Sequence, residues 1–235
     1  MIQRGSKHRI SVSVTFCASF VPWTPCLFSA TVDAIRTPVA GLGILFEVAE
    51  GMHKVWLKAR EHVFPNPDQV LAAQVVVHPT PICLGPGILD GENILVDDHG
   101  QVALTNFGEA GPAPLSSAFV ELEAAIRFDW NEEEDFSRLH ETNQLLLGAN
   151  FSRVPITEAE ASIRKTLRAV LLIRRSAEML LKGDRTRWNT GILFEIARRL
   201  ATFPNGARMV GPSIVRRAHL LLAAGSISKA ISERF

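Results

Sequence analysis

Cysteine is scarce in this 235-residue chain, and the three present, Cys17, Cys26 and Cys83, are scattered without CxxC spacing. That pattern gives no support to a zinc site and reads as reduced thiols in a cytosolic protein. No apolar run reaches the roughly eighteen residues a membrane span needs. Charge of one sign is also missing. The net charge is +1 and no basic block stands out, so electrostatics makes no case for nucleic acid. His78, His99, His140 and His219 show neither HExxH nor i, i+4 pairing, which argues against a metal centre built on histidine. Ser116-Ser117 lacks a G-x-S-x-G elbow and offers no nucleophile. Arg4, Lys7, His8 and Arg9 precede a semi-apolar stretch, Ile10–Ala34, in the manner of a signal peptide. Pro22 and Pro25 interrupt it and Ser and Thr dilute it, so a cytoplasmic location is expected.

What is present is apolar residue, at 47%, enough to build the core of one domain or one and a half. Ile10, Val12 and Val14 alternate with Ser11, Ser13 and Thr15 at strand period, and residues 1–40 otherwise form a poorly defined region with remnant strands. Ile44, Val48, Met52, Val55 and Ala59 fall at helical spacing and predict a helix over Ile44–His62, stopped by Pro65 and Pro67. Asp68–Val77 is a short apolar element of either type. Helices are expected over Leu115–Phe128, Phe136–Ala149, from the Thr157-Glu158-Ala159-Glu160 capping box to Leu181, over Gly191–Phe203 capped by Asn189 or Thr190, and over Ser213–Ala224 with Gly225 as the stop. Asn131–Asp135 reads as a solvated helix start. Gly43–Ala49 nearly repeats as Gly191–Ala197, a single echo below the evidence for a repeat. The pairs Arg174-Arg175, Arg198-Arg199 and Arg216-Arg217 read first as solvated surface, with an anionic partner surface as the alternative.

The centre of the chain is Leu84–Asp129. Ile94–Val96 and Val102–Leu104 read as two strands joined by an Asp97-Asp98-His99-Gly100 turn, with Gly100 free to take positive φ and the aspartates shaping the turn. Such a hairpin holds two loops side by side at one edge, with Asn93 before the first strand and Asn106 after the second. Gly91-Glu92-Asn93-Ile94-Leu95-Val96-Asp97, Leu104-Thr105-Asn106-Phe107-Gly108, Gly111-Pro112 and Phe119-Val120-Glu121-Leu122-Glu123 resemble the catalytic and metal loops of kinase-like phosphotransferases of the aminoglycoside and choline kinase type. The resemblance is nearest to the bacterial kinase-like domain of multi-part conflict or signalling systems.

The resemblance implies an α+β, mostly α fold: residues 41–235 as a helical C-lobe with a small β-hairpin at the catalytic-loop position. The Gly-rich loop and strand lysine of the family are not found, so the N-lobe is expected to be missing or reduced. Phosphoryl transfer needs a base, metal ligands and a phosphate cradle. The resemblance puts the base at Ile88, one metal ligand at Asn93, the second at Asn106 and a bracing acid at Ala118. An isoleucine accepts no proton, and a neutral amide is a weak substitute for a carboxylate on magnesium. Asp90 is the candidate replacement base, with Glu92 and Glu109 nearby; its other reading is a loop acid or helix-start cap. Asn93 is either a retained magnesium and nucleotide ligand or a loop amide holding the turn. ATP and magnesium are the expected cofactors if activity remains.

These readings imply a pseudokinase-type domain with a regulatory or partner-binding role, its partner a protein of a multi-part bacterial system, with no nucleic acid and no membrane. An atypical active phosphotransferase acting on a small hydroxyl substrate is the first alternative. A truncated or decayed fragment of a two-lobed phosphotransferase is the second.

Overall fold

The computed structural model describes residues 44–49, 52–57, 60–74, 82–87, 89, 91–131, 133–148, 151, 153, 156, 161–181, 184–201 and 212–233. The chain folds as an α+β protein, mostly helical, with short antiparallel strands. The expected strands before residue 41 and the capping box at 157–160 lie outside the described residues.

The expected helix over Ile44–His62 is not there. Strands β1 (Ile44–Ala49), β2 (Met52–Leu57) and β3 (Arg60–Pro65) form an antiparallel meander instead. Pairing Ala49 with Met52 and Leu57 with Arg60 leaves two residues at each reversal, the shortest common hairpin connection. Val, Phe and Trp at Val48, Val55, Trp56, Val63 and Phe64 suit a pleated surface. The apolar spacing fits both periods, and pairing with β2 decides between them.

Pro67 starts a helix rather than stopping one. Helix α1 (Pro67–Gln74) has proline at its first position, where the missing N–H costs nothing. The Asp68 amide donates to Asn66 Oδ1 at 2.9 Å, so Asn66 is the cap. The ambiguous element after Pro67 is therefore helical through Gln74.

Strands β4 (Ile82–Gly85) and β7 (Gly111–Pro114) pair antiparallel and enclose the hairpin β5 (Ile94–Val96) and β6 (Val102–Leu104). Helix α2 (Ser117–Ala124) runs into a π turn over Ala125–Asp129. Then come α3 (Phe136–Gly148), α4 (Ala161–Leu181), α5 (Arg185–Ala201) and α6 (Pro212–Ser232). Asp135 caps α3, accepting the Ser137 amide at 2.7 Å, in line with the solvated helix start. Helix α5 begins about a turn and a half earlier than expected, because Asp184 accepts the Arg187 amide at 3.0 Å and serves as the cap. Asn189 and Thr190 sit inside the helix.

Helix α6 is the core of the molecule. Ala218 through Ser228 are all buried, and its apolar residues join Phe64, Val70, Leu71, Val120, Trp188 and Ile192 in one cluster. Gly225 does not end this helix. A Cβ there would sit 2.7 Å from Phe64 Cδ2, so the glycine is a point of close approach between α6 and β3.

One arginine of each pair departs from the solvated-surface reading, while Arg175 and Arg216 are exposed as expected. Arg174, Arg199 and Arg217 are buried. Arg174 bonds Glu123, Arg198 bonds Glu121 and Glu195, and Arg199 and Arg216 both meet Asp129. The charge of Arg174, Arg198 and Arg199 is met by carboxylates inside the fold, which weakens the anionic-partner reading at those positions.

Two stability experiments follow. Gly225→Ala should destabilise by about 1–3 kcal/mol through overpacking, although alanine is the better helix former by about 1 kcal/mol. Phe64→Leu in the same chain should recover part of that loss in urea unfolding, and a neutral or stabilising Gly225→Ala would remove the close-packing explanation. His219 is fully enclosed beside the Phe128 ring, and burial, then the Arg127 charge, push it down to about 3. The unfolded chain therefore takes this proton first. The stability contribution is complete above the unfolded value near 6.5 and is lost as pH falls, at roughly 1.4 kcal/mol per pH unit down to about 3. His219→Gln should flatten that acid limb in urea unfolding between pH 7 and pH 4; an unchanged slope would mean His219 is not its source.

Candidate functional site

The hairpin turn forms as its composition dictates. Asp97 Oδ1 accepts the amides of His99 and Gln101 at 2.9 and 2.8 Å, the Gly100 amide donates to the Asp97 carbonyl at 2.9 Å, and Gly100 has φ of 77°. At the other end, Ile94 is paired with Leu104. One step beyond, the Thr105 amide donates to the Asn93 carbonyl at 3.0 Å. Asn93 and Asn106, the two expected ligand positions, thus lie at one end of the hairpin within a residue of register.

Their environments differ. Asn93 is buried. Asn106 is exposed, adopts the left-handed conformation at φ 55°, ψ 58°, and leads into a single 3₁₀ turn over Phe107–Glu109. Left-handed backbone is uncommon outside glycine, though asparagine tolerates it best. Ile88 and Asp90, the expected base position and its replacement, lie outside the described residues. Glu92 and Glu109 are exposed. Among the described residues no group of three or more His, Cys, Asp or Glu is arranged to hold a metal ion.

The loop from Gly85 to Asn93 is fastened at several points. Gly85 faces Ala113, whose Cβ would be 2.8 Å from an added Cβ. Gly87, with φ of 92°, lies against the backbone of Glu109 and Ala110, at 3.2 and 3.3 Å from an added Cβ. The two loops are therefore in direct contact, as the hairpin geometry requires. Leu89 is buried. Gly91 lies beneath the Trp130 indole, 3.3 Å from its Nε1 by the same measure. Trp130 is delivered there by the π turn, whose closing bond runs from the Trp130 amide to the Ala125 carbonyl at 2.9 Å.

Sequence reasoning missed Glu121. The resemblance put a bracing acid at Ala118, where the side chain carries none. Glu121 stands one turn further along α2, on the same side of the helix. Its carboxylate accepts the Leu89 backbone N–H, and Arg198 Nη2 donates to its Oε1 at 3.2 Å. Burial, then the Glu195 carboxylate, raise Glu121 above the usual carboxylate range, against the pull of Arg198 and the Leu89 amide. An acid at i+3 from the expected position was the available signal.

A separate cleft of about 520 Å³ is lined by β3, α3 and α6, including His62, Phe64, His140, Gln144 and Lys229. The His62 and His140 rings meet edge to face at 5.0 Å. Burial, then His62, hold His140 below the usual histidine range. None of the sequence-predicted site residues lines it. Compared with known proteins, the chain matches no family model, no curated protein and no solved structure.

The Glu121 brace has a local readout. Glu121→Ala should speed exchange of the Leu89 amide about tenfold or more, because a hydrogen bond to a charged group contributes roughly 1.5–3 kcal/mol, while Glu121→Gln, which keeps an acceptor oxygen, should retain most of the protection. Equal exchange in wild type and Glu121→Ala would dismiss the brace.

Proposed function

We infer that the chain is a kinase-like domain of phosphotransferase ancestry that keeps the two-loop framework without its chemistry, and that it acts by binding a protein partner. The observation that carries this reading is the contrast between framework and ligands. The loops are held at Gly87, Leu89, Gly91 and Asn93, yet the second metal position is the neutral, exposed Asn106. The base position is Ile88. Magnesium prefers near-octahedral oxygen coordination with carboxylates, and an amide supplies no charge to offset the dication. The meander β1–β3, which precedes the hairpin in the chain and packs on α6 through β3, supports reading these residues as a reduced N-lobe in place of the helical start of the C-lobe expected there. A bacterial multi-part assembly is the setting this ancestry suggests for the partner.

Thermal unfolding of the full chain with and without ATP and magnesium tests the reading. Ligand at a hundredfold excess over its Kd stabilises by about 2.7 kcal/mol, so a working nucleotide site shows as a shift of several degrees. The expected shift is below about 1 °C on the same linkage. A shift of several degrees, with ATP turnover that disappears in Asp90→Ala, would replace this reading with an active phosphotransferase. Ile88→Asp with Asn106→Asp should restore magnesium-dependent nucleotide stabilisation if the framework is complete.

A further inference from the structure

We propose that the hairpin β5–β6 is a strand-addition surface for a partner protein, and that it takes a short apolar strand with lysine or arginine at both ends. The inference rests on the partner-binding reading above and names its surface. Register decides which backbone groups are on offer. The Thr105 amide donates to the Asn93 carbonyl and the Asp97 amide to the Gln101 carbonyl, at 3.0 Å each. These two pairs, with Leu95 and Ala103 between them, spend their bonds inside the hairpin. Bonded and unbonded pairs alternate along an antiparallel ladder. Ile94, Val96, Val102 and Leu104 therefore turn their amides and carbonyls to the two outer edges. Among the described residues neither edge meets a third strand. The same four side chains share one face, and Leu95 and Ala103 share the other. Val96 and Val102 are 63% and 65% exposed, and Leu95 on the opposite face is 54% exposed. A two-stranded hairpin alone is marginal in water, and bare edges carrying apolar side chains are a template for an added strand.

Charge selects the occupant. Asp97 and Asp98 are exposed at the tip of the hairpin, and Glu109 is exposed in the 3₁₀ turn that follows β6 at its base. No lysine or arginine occurs between Arg60 and Arg127, so these acids have no basic neighbour on their own segment. The apolar strands between tip and base are three residues each, a span on the order of 10 Å. An added strand of matching length meets acid at both of its ends. A second copy joined edge to edge sets acid against acid in either direction: parallel, it brings two tips together, and antiparallel, it brings a tip to a base. Nucleic acid is repelled by the same charges. An extended polypeptide with an apolar centre and basic ends satisfies the edge amides, the valine face and the acids together. The surface does not depend on phosphotransferase ancestry.

The test uses the full chain and hydrogen exchange read over residues 94–104, with the amides of α5 as the control for global folding. Two short synthetic peptides serve as probes, both with a valine and threonine centre, one with lysines at its ends and the other with glutamates. The lysine peptide at about ten times its Kd should slow exchange of the outward amides on one edge, Ile94 and Val96 or Val102 and Leu104, about tenfold, with α5 unchanged. The glutamate peptide should slow nothing. Asp98→Lys with Glu109→Lys should transfer the slowing from the lysine peptide to the glutamate peptide. No slowing by the lysine peptide would overturn the proposal, as would equal slowing by both peptides or slowing that the charge reversal leaves in place. Hairpin protection that rises with protein concentration in the absence of peptide would overturn it in favour of a second copy. Nucleotide plays no part in this measurement. A thermal shift with ATP and magnesium therefore counts against the loss of chemistry alone, and absent slowing counts against the surface alone.

Discussion

One buried carboxylate holds the helical part of this molecule together. Glu123, fully enclosed on α2, accepts Arg174 Nε and Nη2 at 2.8 and 2.7 Å, Arg127 Nη1 at 3.0 Å and Trp188 Nε1 at 3.0 Å. Arg127 continues to Asn143 Oδ1 and Arg174 to the Leu146 carbonyl. Helices α2, α3, α4 and α5 therefore meet at one ionised group. Burial alone would raise this carboxyl, but the two guanidiniums outweigh it and hold it below its usual range. Burial also lowers Arg127, to about 10, with Arg174 adding to the effect and Glu123 opposing it. Such a knot adds little over a well-packed apolar one, yet removing one partner typically costs about 3–5 kcal/mol, since the others are left buried and unpaired. Its members are therefore interdependent.

The same helix serves the loops. Glu121 and Glu123 are two residues apart and so point to different sides of α2. Glu123 faces the core, and Glu121 faces the loop that carries Leu89. The π turn that follows extends this division: Arg127 and Phe128 turn inward, while Asp129 meets Arg199 and Arg216 and Trp130 covers Gly91. Insertion of a wider turn in a helix changes which side each later residue faces, and here it allows one short segment to anchor both core and loop.

Much of the centre was legible because its signals are local. The Asp97–Gly100 turn, the strands on either side and the contact between the two loops follow from turn chemistry and period two. The Asp135 cap is equally local. Glu121 was not legible, because a brace is a relation between a helix and a loop, and the expectation at Ala118 looked one turn away from the acid that meets the loop. The burial of Arg174 and Arg199 was hidden for the same reason: adjacent arginines on a helix look solvated until their carboxylate partners on other helices are known.

The clearest division lies between two nearly identical segments. Ile44–Ala49 reads ILFEVA and is a strand; Ile192–Ala197 reads ILFEIA and is helical. Glu195 has Arg198 and Arg199 three and four residues on, a helical pairing, whereas Glu47 has Glu50 and Gly51. The second segment buries Ile192, Leu193, Ile196 and Ala197 on one helical face against the core, and the first pairs its backbone with β2. By itself the sequence determined the hairpin, its turn and the run of helices that follows it among the described residues. Only the tertiary structure decided the conformation of ILFEVA, the passage of α6 through Gly225 and the pairing of the arginines. Each of these depends on a partner outside the segment itself, β2 for ILFEVA, Phe64 for Gly225 and Glu121, Glu123 and Asp129 for the arginines, and local propensities of a few tenths of a kcal/mol per residue are too small to override the packing that partner provides.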